Sequence, residues 1–162
     1  MRRATNIIHF NNWEKDEVVG TVTLSYQERH RRRIKMLDDD GFELLLDLVE
    51  VAQIEEGDAL ALKDGGVVVV KAADEDVLDI RCETKEHAAR IAWHIGNRHT
   101  PLQVIDDGTL RIIYDHVLEK MLIGLNAETS RNKAAFSPER GAYSTPGPVS
   151  YTHLTLPTNR EV

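Results

Sequence analysis

The chain has 162 residues and a formal net charge of −7, from 20 Lys+Arg against 27 Asp+Glu, which argues against a main task of coating nucleic acid or an anionic membrane. A hydrophobic share of 41% supports one ordinary domain or two small ones, and the single cysteine, Cys82, excludes an intrachain disulfide or a thiolate zinc site built by this chain alone. The apolar stretches fall far short of the ~20 residues of a membrane helix, and no signal-peptide core follows Met1-Arg2-Arg3, so a soluble, cytoplasmic protein without nucleic-acid or membrane partners is expected.

Short runs with β-branched or alternating apolar positions predict strands at Ile7–Phe10, Glu17–Leu24, Arg33–Met36, Phe42–Leu46, Ala59–Leu62 and Val67–Lys71. Turn clusters separate them at Asn11-Asn12, Asp38–Gly41, Glu56-Gly57-Asp58 and Asp64-Gly65-Gly66. This spacing predicts a small all-β domain, a sandwich or barrel, over residues 1–73. Within it, Tyr26–Arg33 reads as a helical turn or a charged loop, and the acidic run Ala72–Asp76 reads as the linker that follows.

Beyond the linker the period changes. Val77–Arg81 is strand-like, and Thr84 can cap a helix carrying the apolar stripe Ala88, Ile91, Ala92 and Ile95. Gly96-Asn97 and then Pro101 stop it. Leu102–Ile105 and Leu110–Ile113 flank the turn Asp106-Asp107-Gly108 as a hairpin. Asp115 caps a second helix with Val117, Leu118, Met121, Leu122 and Leu125 on one face, and Ala127–Ala135 supplies a last strand. The order β-α-β-β-α-β is the ferredoxin-like split motif, so residues 74–143 form the second domain of an α+β chain. The tail 144–162 holds three of the five prolines and four threonines, lacks periodicity, and reads as a disordered or artefactual segment.

With one cysteine, any metal site must rely on imidazole with carboxylate or water, so the seven histidines (9, 30, 87, 94, 99, 116 and 153) are the useful inventory. His87 and His94 are seven residues apart on the first helix, about 10 Å along its axis, too far to chelate one ion. His99 differs, because it follows the helix stop in Gly96-Asn97-Arg98-His99-Thr100-Pro101 and a loop there points the ring outward. His116 is either a metal ligand or simply the first residue of the second helix. One imidazole per chain binds a metal weakly, but a two-fold axis through His99 would bring two imidazoles to one ion in an open, exchangeable site.

The dense basic run His30-Arg31-Arg32-Arg33 lacks interleaved aromatics and reads as a solvated face or a protein-docking patch rather than a nucleic-acid contact. Asn97-Arg98 would suit an anion, as in acyl-phosphate hydrolysis on this scaffold, but no Gly-rich cradle accompanies it. The carboxylates of Asp38–Asp40 belong to a turn, Cys82 is a bystander thiol, and no Ser-His-Asp set, Cys-His pair or phosphate loop is present.

Taken together, His30–Arg33, Leu45-Leu46-Asp47-Leu48, Glu56–Leu60, Ala92–Pro101 (AWHIGNRHTP), Asp115-His116-Val117-Leu118 and Pro138–Tyr143 resemble the UreE family of urease accessory proteins over about residues 1–143. The resemblance implies a non-enzymatic nickel metallochaperone for urease maturation. It implies an N-terminal β domain that docks partners and a ferredoxin-like domain that binds metal and dimerises. The family's interfacial nickel-binding histidine falls on His99, and the histidine of its DHVL motif falls on His116. Ni(II) is then cargo, for which Zn(II) or Cu(II) could substitute, and the partners are a second copy, an accessory GTPase and the urease assembly complex. Some members carry a further histidine where this chain has Ile113-Tyr114, and many end in a histidine-rich tail, where this chain offers only His153. Low metal capacity is therefore expected. The competing readings are a metal-independent adaptor that docks through the basic run, and the hydrolase.

Overall fold

The computed structural model describes residues 1–141, so the reading of the tail 144–162, with His153, lies outside the described residues. The chain is α+β, as expected, and its buried side chains gather in two apolar clusters, one in each half.

In the first half, β1 (Arg2–Ile8), β2 (Val18–Leu24), β3 (His30–Leu37), β4 (Glu43–Gln53), β5 (Ala59–Leu62) and β6 (Val67–Ala72) form a curled six-stranded sheet in the order β2-β6-β5-β1-β4-β3. β1 runs parallel to β4 and β2 parallel to β6, while the remaining neighbours are antiparallel. The two-residue period of a strand puts Leu44, Leu46 and Leu48 of β4 on one face. There they pack with Ala4, Val22, Leu24, Ile54, Leu60, Val68 and Val70.

The β2 edge of this sheet is covered by the turn 38–41. Asp39 donates its N–H to the Thr21 carbonyl at 2.8 Å, and its carboxylate accepts from the Thr21 and Thr23 hydroxyls and the Thr23 N–H. Asp38, buried beneath, accepts from Arg2 and from the N–H groups of Asp40 and Phe42. Desolvation pushes the Asp38 carboxyl up, but these donors outweigh it and hold the group below the usual carboxylate range.

Three expectations change here. The first strand starts at Arg2 rather than Ile7, because Ala4 fills the core and Arg3 pairs with Asp47 of β4. Of Tyr26–Arg33, the first four residues are the helical turn and the rest are strand. A capping box from Ser25 and Glu28 closes the single turn α1 (Tyr26–Arg29), after which the basic residues enter β3. The acidic run Ala72–Asp76 is no linker either, since β7 (Asp74–Arg81) begins after Ala73 alone, whose N–H reaches the Leu24 carbonyl at 2.8 Å. Its charges are answered across the fold, Asp76 by Arg131 at 2.8 Å and Glu75 by the Tyr26 N–H at 2.8 Å.

The second half runs β7, α2 (Lys85–Asn97), β8 (Gln103–Val104), β9 (Leu110–Ile113), α3 (His116–Gly124) and β10 (Glu128–Ala135). Its sheet order, β10-β7-β9-β8 with antiparallel neighbours throughout, is the ferredoxin-like arrangement. The expected strand Leu102–Ile105 keeps only Gln103-Val104 in the ladder. Ile91 and Ile95 of α2 and Leu118 and Leu122 of α3 pack on Leu78, Ile80, Leu110 and Ile112 of the sheet.

After β10, residues 136–140 fold back onto the first half. Phe136, fully buried, meets Tyr26 edge-on with ring centroids 5.4 Å apart. Arg29, 0% exposed, donates to the carbonyls of Leu24, Ile54 and Phe136, joining both halves through one guanidinium. Burial pulls its pKa below the ordinary arginine value, while Glu55, Glu75 and Glu56 hold it up. Gln53 and Arg140 add exchanged bonds, from the Gln53 amide to the Pro138 carbonyl at 3.0 Å and from Arg140 to the Gln53 carbonyl at 2.9 Å.

Candidate metal centre

Thr84 starts α2 by accepting the His87 N–H at 3.0 Å, and the helix runs to Asn97. Its end is a Schellman turn. The Thr100 N–H reaches back to the Ile95 carbonyl at 3.4 Å and the His99 N–H to the Gly96 carbonyl at 2.9 Å, satisfying two orphan carbonyls. This geometry requires a left-handed residue, and His99 takes it with φ +59°. Glycine usually fills such a position, because a Cβ there costs roughly 1–2 kcal/mol. Pro101 then prevents the helix from resuming. His99 is exposed, and its imidazole makes no side-chain hydrogen bond among the described residues.

His116 is the first residue of α3, directly after Asp115, whose carboxylate accepts the Val117 N–H at 2.8 Å and the Leu118 N–H at 3.1 Å. The cap fixes the helix start through Asp115 and leaves the His116 ring exposed, likewise without a hydrogen bond among the described residues. Beneath it, the Tyr114 hydroxyl donates to Glu119 at 3.0 Å, and that bond raises the Tyr114 pKa. Arg131 stacks over the Tyr114 ring at 3.7 Å while pairing with Asp76.

The remaining histidines among the described residues are occupied or sit elsewhere. Nε2 of His87, half-buried, lies 2.8 Å from the Leu125 carbonyl and ties the start of α2 to the end of α3. His94 is half-buried with its ring edge-on to Trp93, His30 stacks with Tyr26, and His9 lies near buried Asp58 at 4.0 Å. Cys82 packs against the second core, and burial pushes its thiol up, away from the reactive thiolate. Among the described residues no three His, Cys, Asp or Glu side chains come close enough to hold a metal ion. His99 and His116 therefore do not form a three-ligand site within one chain.

Two features escape a reading of the sequence. Trp93 is 63% exposed on the last turns of α2, a large apolar ring left in water about 6 Å along the axis from the helix end. Its place inside AWHIGNRHTP was visible; its exposure was not. Arg29, hidden in a run of six charged or polar neighbours, gives no local signal of burial at all.

Comparison with known proteins shows what the chain is similar to. The family description "UreE urease accessory protein, N-terminal domain" matches residues 2–73, and "UreE urease accessory protein, C-terminal domain" matches residues 75–154. The chain is 44% identical over 153 residues to the urease accessory protein UreE of Rhodopseudomonas palustris, covering 94% of this chain and 72% of that protein. It is 46% identical over 143 residues to its counterpart in Azorhizobium caulinodans, covering 88% and 68%. Against that of Paracoccus denitrificans the identity is 52% over 122 residues, covering 75% of each chain. These relatives are named as accessory proteins, not as enzymes.

Proposed function

The chain belongs to the UreE family of urease accessory proteins, and from that premise we propose that it is a metallochaperone that carries Ni(II) as cargo to the urease assembly. The observation that carries this reading is His99, an exposed imidazole without a partner among the described residues, at a helix end where the backbone favours glycine. A side chain kept at a conformational cost, and used by nothing among the described residues, is available to something outside them.

One imidazole is a weak ligand. Two copies related by a two-fold axis would double it, because such an axis sets identical residues against each other. Exposed Trp93, on the same helix, gives the second copy an apolar surface to cover. His116 serves as an accessory ligand, and the absence of a three-ligand cluster among the described residues suits cargo that must leave again. Imidazole accepts Ni(II) readily and also takes Cu(II) and Zn(II), so the ligands alone do not select the metal. In this reading residues 74–143 bind metal and dimerise, while residues 1–73 dock partners, an accessory GTPase and the urease complex among them. Delivery takes place in the cytoplasm, in keeping with the lack, among the described residues, of any helix long and apolar enough to cross a membrane.

Equilibrium dialysis against nickel, read beside light scattering, tests the proposal. A dimer that retains about one ion per two chains is expected. A strict monomer that holds no nickel at micromolar concentration would sink it and favour the metal-independent adaptor.

A further inference from the structure

The two ends of the six-stranded sheet are finished differently. β2 is sealed by the turn 38–41, through Asp39 and the threonines of β2. β3, at the other end, pairs only with β4, and its outer row of backbone groups has no partner among the described residues. An uncovered edge is a template for another strand, which proteins usually guard with charge. Here the guard has one sign. Arg31, Arg32, Arg33 and Lys35 are all exposed on β3, in a chain whose net charge is −7.

Two of these cations are already matched inside the chain, Arg33 with Asp47 at 3.2 Å and Lys35 with Glu43 at 3.1 Å. Arg31 and Arg32 meet no carboxylate within 4.0 Å among the described residues. Arg32 instead donates to the Leu48 carbonyl at 3.1 Å, at the foot of a bulge. Because Arg31 pairs with Ala52 and Arg33 with Asp47, the residues Leu48, Val49, Glu50 and Val51 all stand opposite Arg32 alone. Leu48 turns into the core, while Val49 is left 89% exposed and Val51 58% exposed. Open backbone and unmatched arginines thus lie together on the edge strand β3, and the exposed Val49 and Val51 sit on β4 behind it.

We propose that this edge docks an extended acidic segment of a protein partner, which adds to the sheet beside β3. Its backbone would pair with the outer groups of β3, and its carboxylates would answer Arg31 and Arg32. Positive charge of a single sign repels a second copy of the same strand and admits an acidic one. The inference rests on the delivery reading for its purpose, since a carrier must dock where it unloads, but the binding edge lies in the other half of the chain from His99.

The test uses the whole chain and a fluorescein-labelled peptide of four Glu-Val repeats, with four Lys-Val repeats as control. Anisotropy should report binding of the acidic peptide only, and bound peptide should slow amide exchange along Arg31–Leu37. Arg31→Glu with Arg32→Glu should weaken binding by about tenfold or more. The milder Arg31→Gln with Arg32→Gln, which leaves both existing ion pairs in place, should weaken it in the same direction. Binding that survives both double variants, or that leaves the β3 amides unprotected, overturns the proposal. Nickel retention measured on the same samples separates the two readings. A chain that holds nickel but shows no protected β3 overturns the docking edge and leaves delivery standing. A chain that protects β3 but holds no nickel overturns delivery and supports the edge.

Discussion

The two long helices of the second half end in the same way, with a different residue at the left-handed position of each. After α3, the Ala127 N–H reaches the Leu122 carbonyl at 3.0 Å, the Asn126 N–H reaches the Ile123 carbonyl at 3.0 Å, and Asn126 sits at φ +67°. That is the Schellman turn of α2 repeated, with asparagine where α2 has His99 at φ +59°. Asparagine is a routine substitute for glycine in the left-handed region, and its side chain needs no further explanation. Histidine meets the same backbone demand while adding an imidazole that the turn does not use. The backbone is what the fold requires of this position; the ring is surplus to it, and the surplus is what we assign to nickel.

Exchanging the residues breaks the comparison most sharply. His99→Asn gives α2 the ending of α3, so the thermal midpoint should stay within error of the parent. Nickel affinity should fall by about 100-fold or more, since even outer partners of metal ligands are worth about 10–100-fold. Calorimetric titration beside a melting curve reads both. A variant that loses its fold would mean the imidazole was structural after all.

Arg29 is the opposite extreme, a polar group wholly consumed by its own chain. Arg29→Met should strand the carbonyls of Ile54 and Phe136 and leave that of Leu24 with the Ala73 N–H alone, costing about 3 kcal/mol of stability in urea unfolding without altering nickel stoichiometry. A loss well below 1 kcal/mol would mean that the seam between the halves is held elsewhere. His87 gives the same contrast within a single residue type. Its ring is spent on the Leu125 carbonyl at the end of α3, so His87→Ala should cost about 1 kcal/mol and leave nickel binding unchanged. If His87→Ala instead releases nickel, the division between structural and chemical histidines fails.

The architecture of the second half was legible because its signals are local. Thr84 and Asp115 cap helices where expected, Gly96-Asn97 ends α2, and the apolar period identifies the faces that pack. His99 was legible as a loop residue, but not as a left-handed one, because the turn is defined by backbone bonds to Ile95 and Gly96 that no side-chain pattern announces. What could not be read is whatever depends on distant partners. The acidic run of β7 looked like a linker because Arg131, which answers Asp76, is 55 residues away. Arg29 looked like one more surface charge because its last acceptor, Phe136, lies 107 residues on. The bulge opposite Arg32 was hidden for the same reason, since register belongs to a pair of strands.

Those distant pairs also set the acid limit of the fold. The Arg111 guanidinium beside Asp79 holds its carboxyl below the usual carboxylate range against desolvation, and the Asn132 amide assists. Arg131 does the same for Asp76. A carboxyl depressed in the folded state contributes stability that is full above its unfolded value, near ~4, and is lost as pH falls through the lower folded value. Urea midpoints should therefore hold steady down to about pH 4 and fall below it, with a shallower fall in Asp79→Asn. Equal slopes in parent and variant would remove Asp79 from that role.

The smallest effect returns to the helix ends. His99→Gly should raise stability by about 0.5–1 kcal/mol, because it relieves the left-handed Cβ, although a more flexible unfolded chain offsets part of the gain. A clear loss on denaturant titration would show that the ring is packed rather than free.

The central claim is that nickel is shared between two copies at His99, and native mass spectrometry of the nickel-loaded chain tests it most directly. The account predicts metal on the dimer alone, about one ion per two chains, and none on the His99→Asn dimer. Nickel on the monomer peak at one per chain, or undiminished on the His99→Asn dimer, would contradict it.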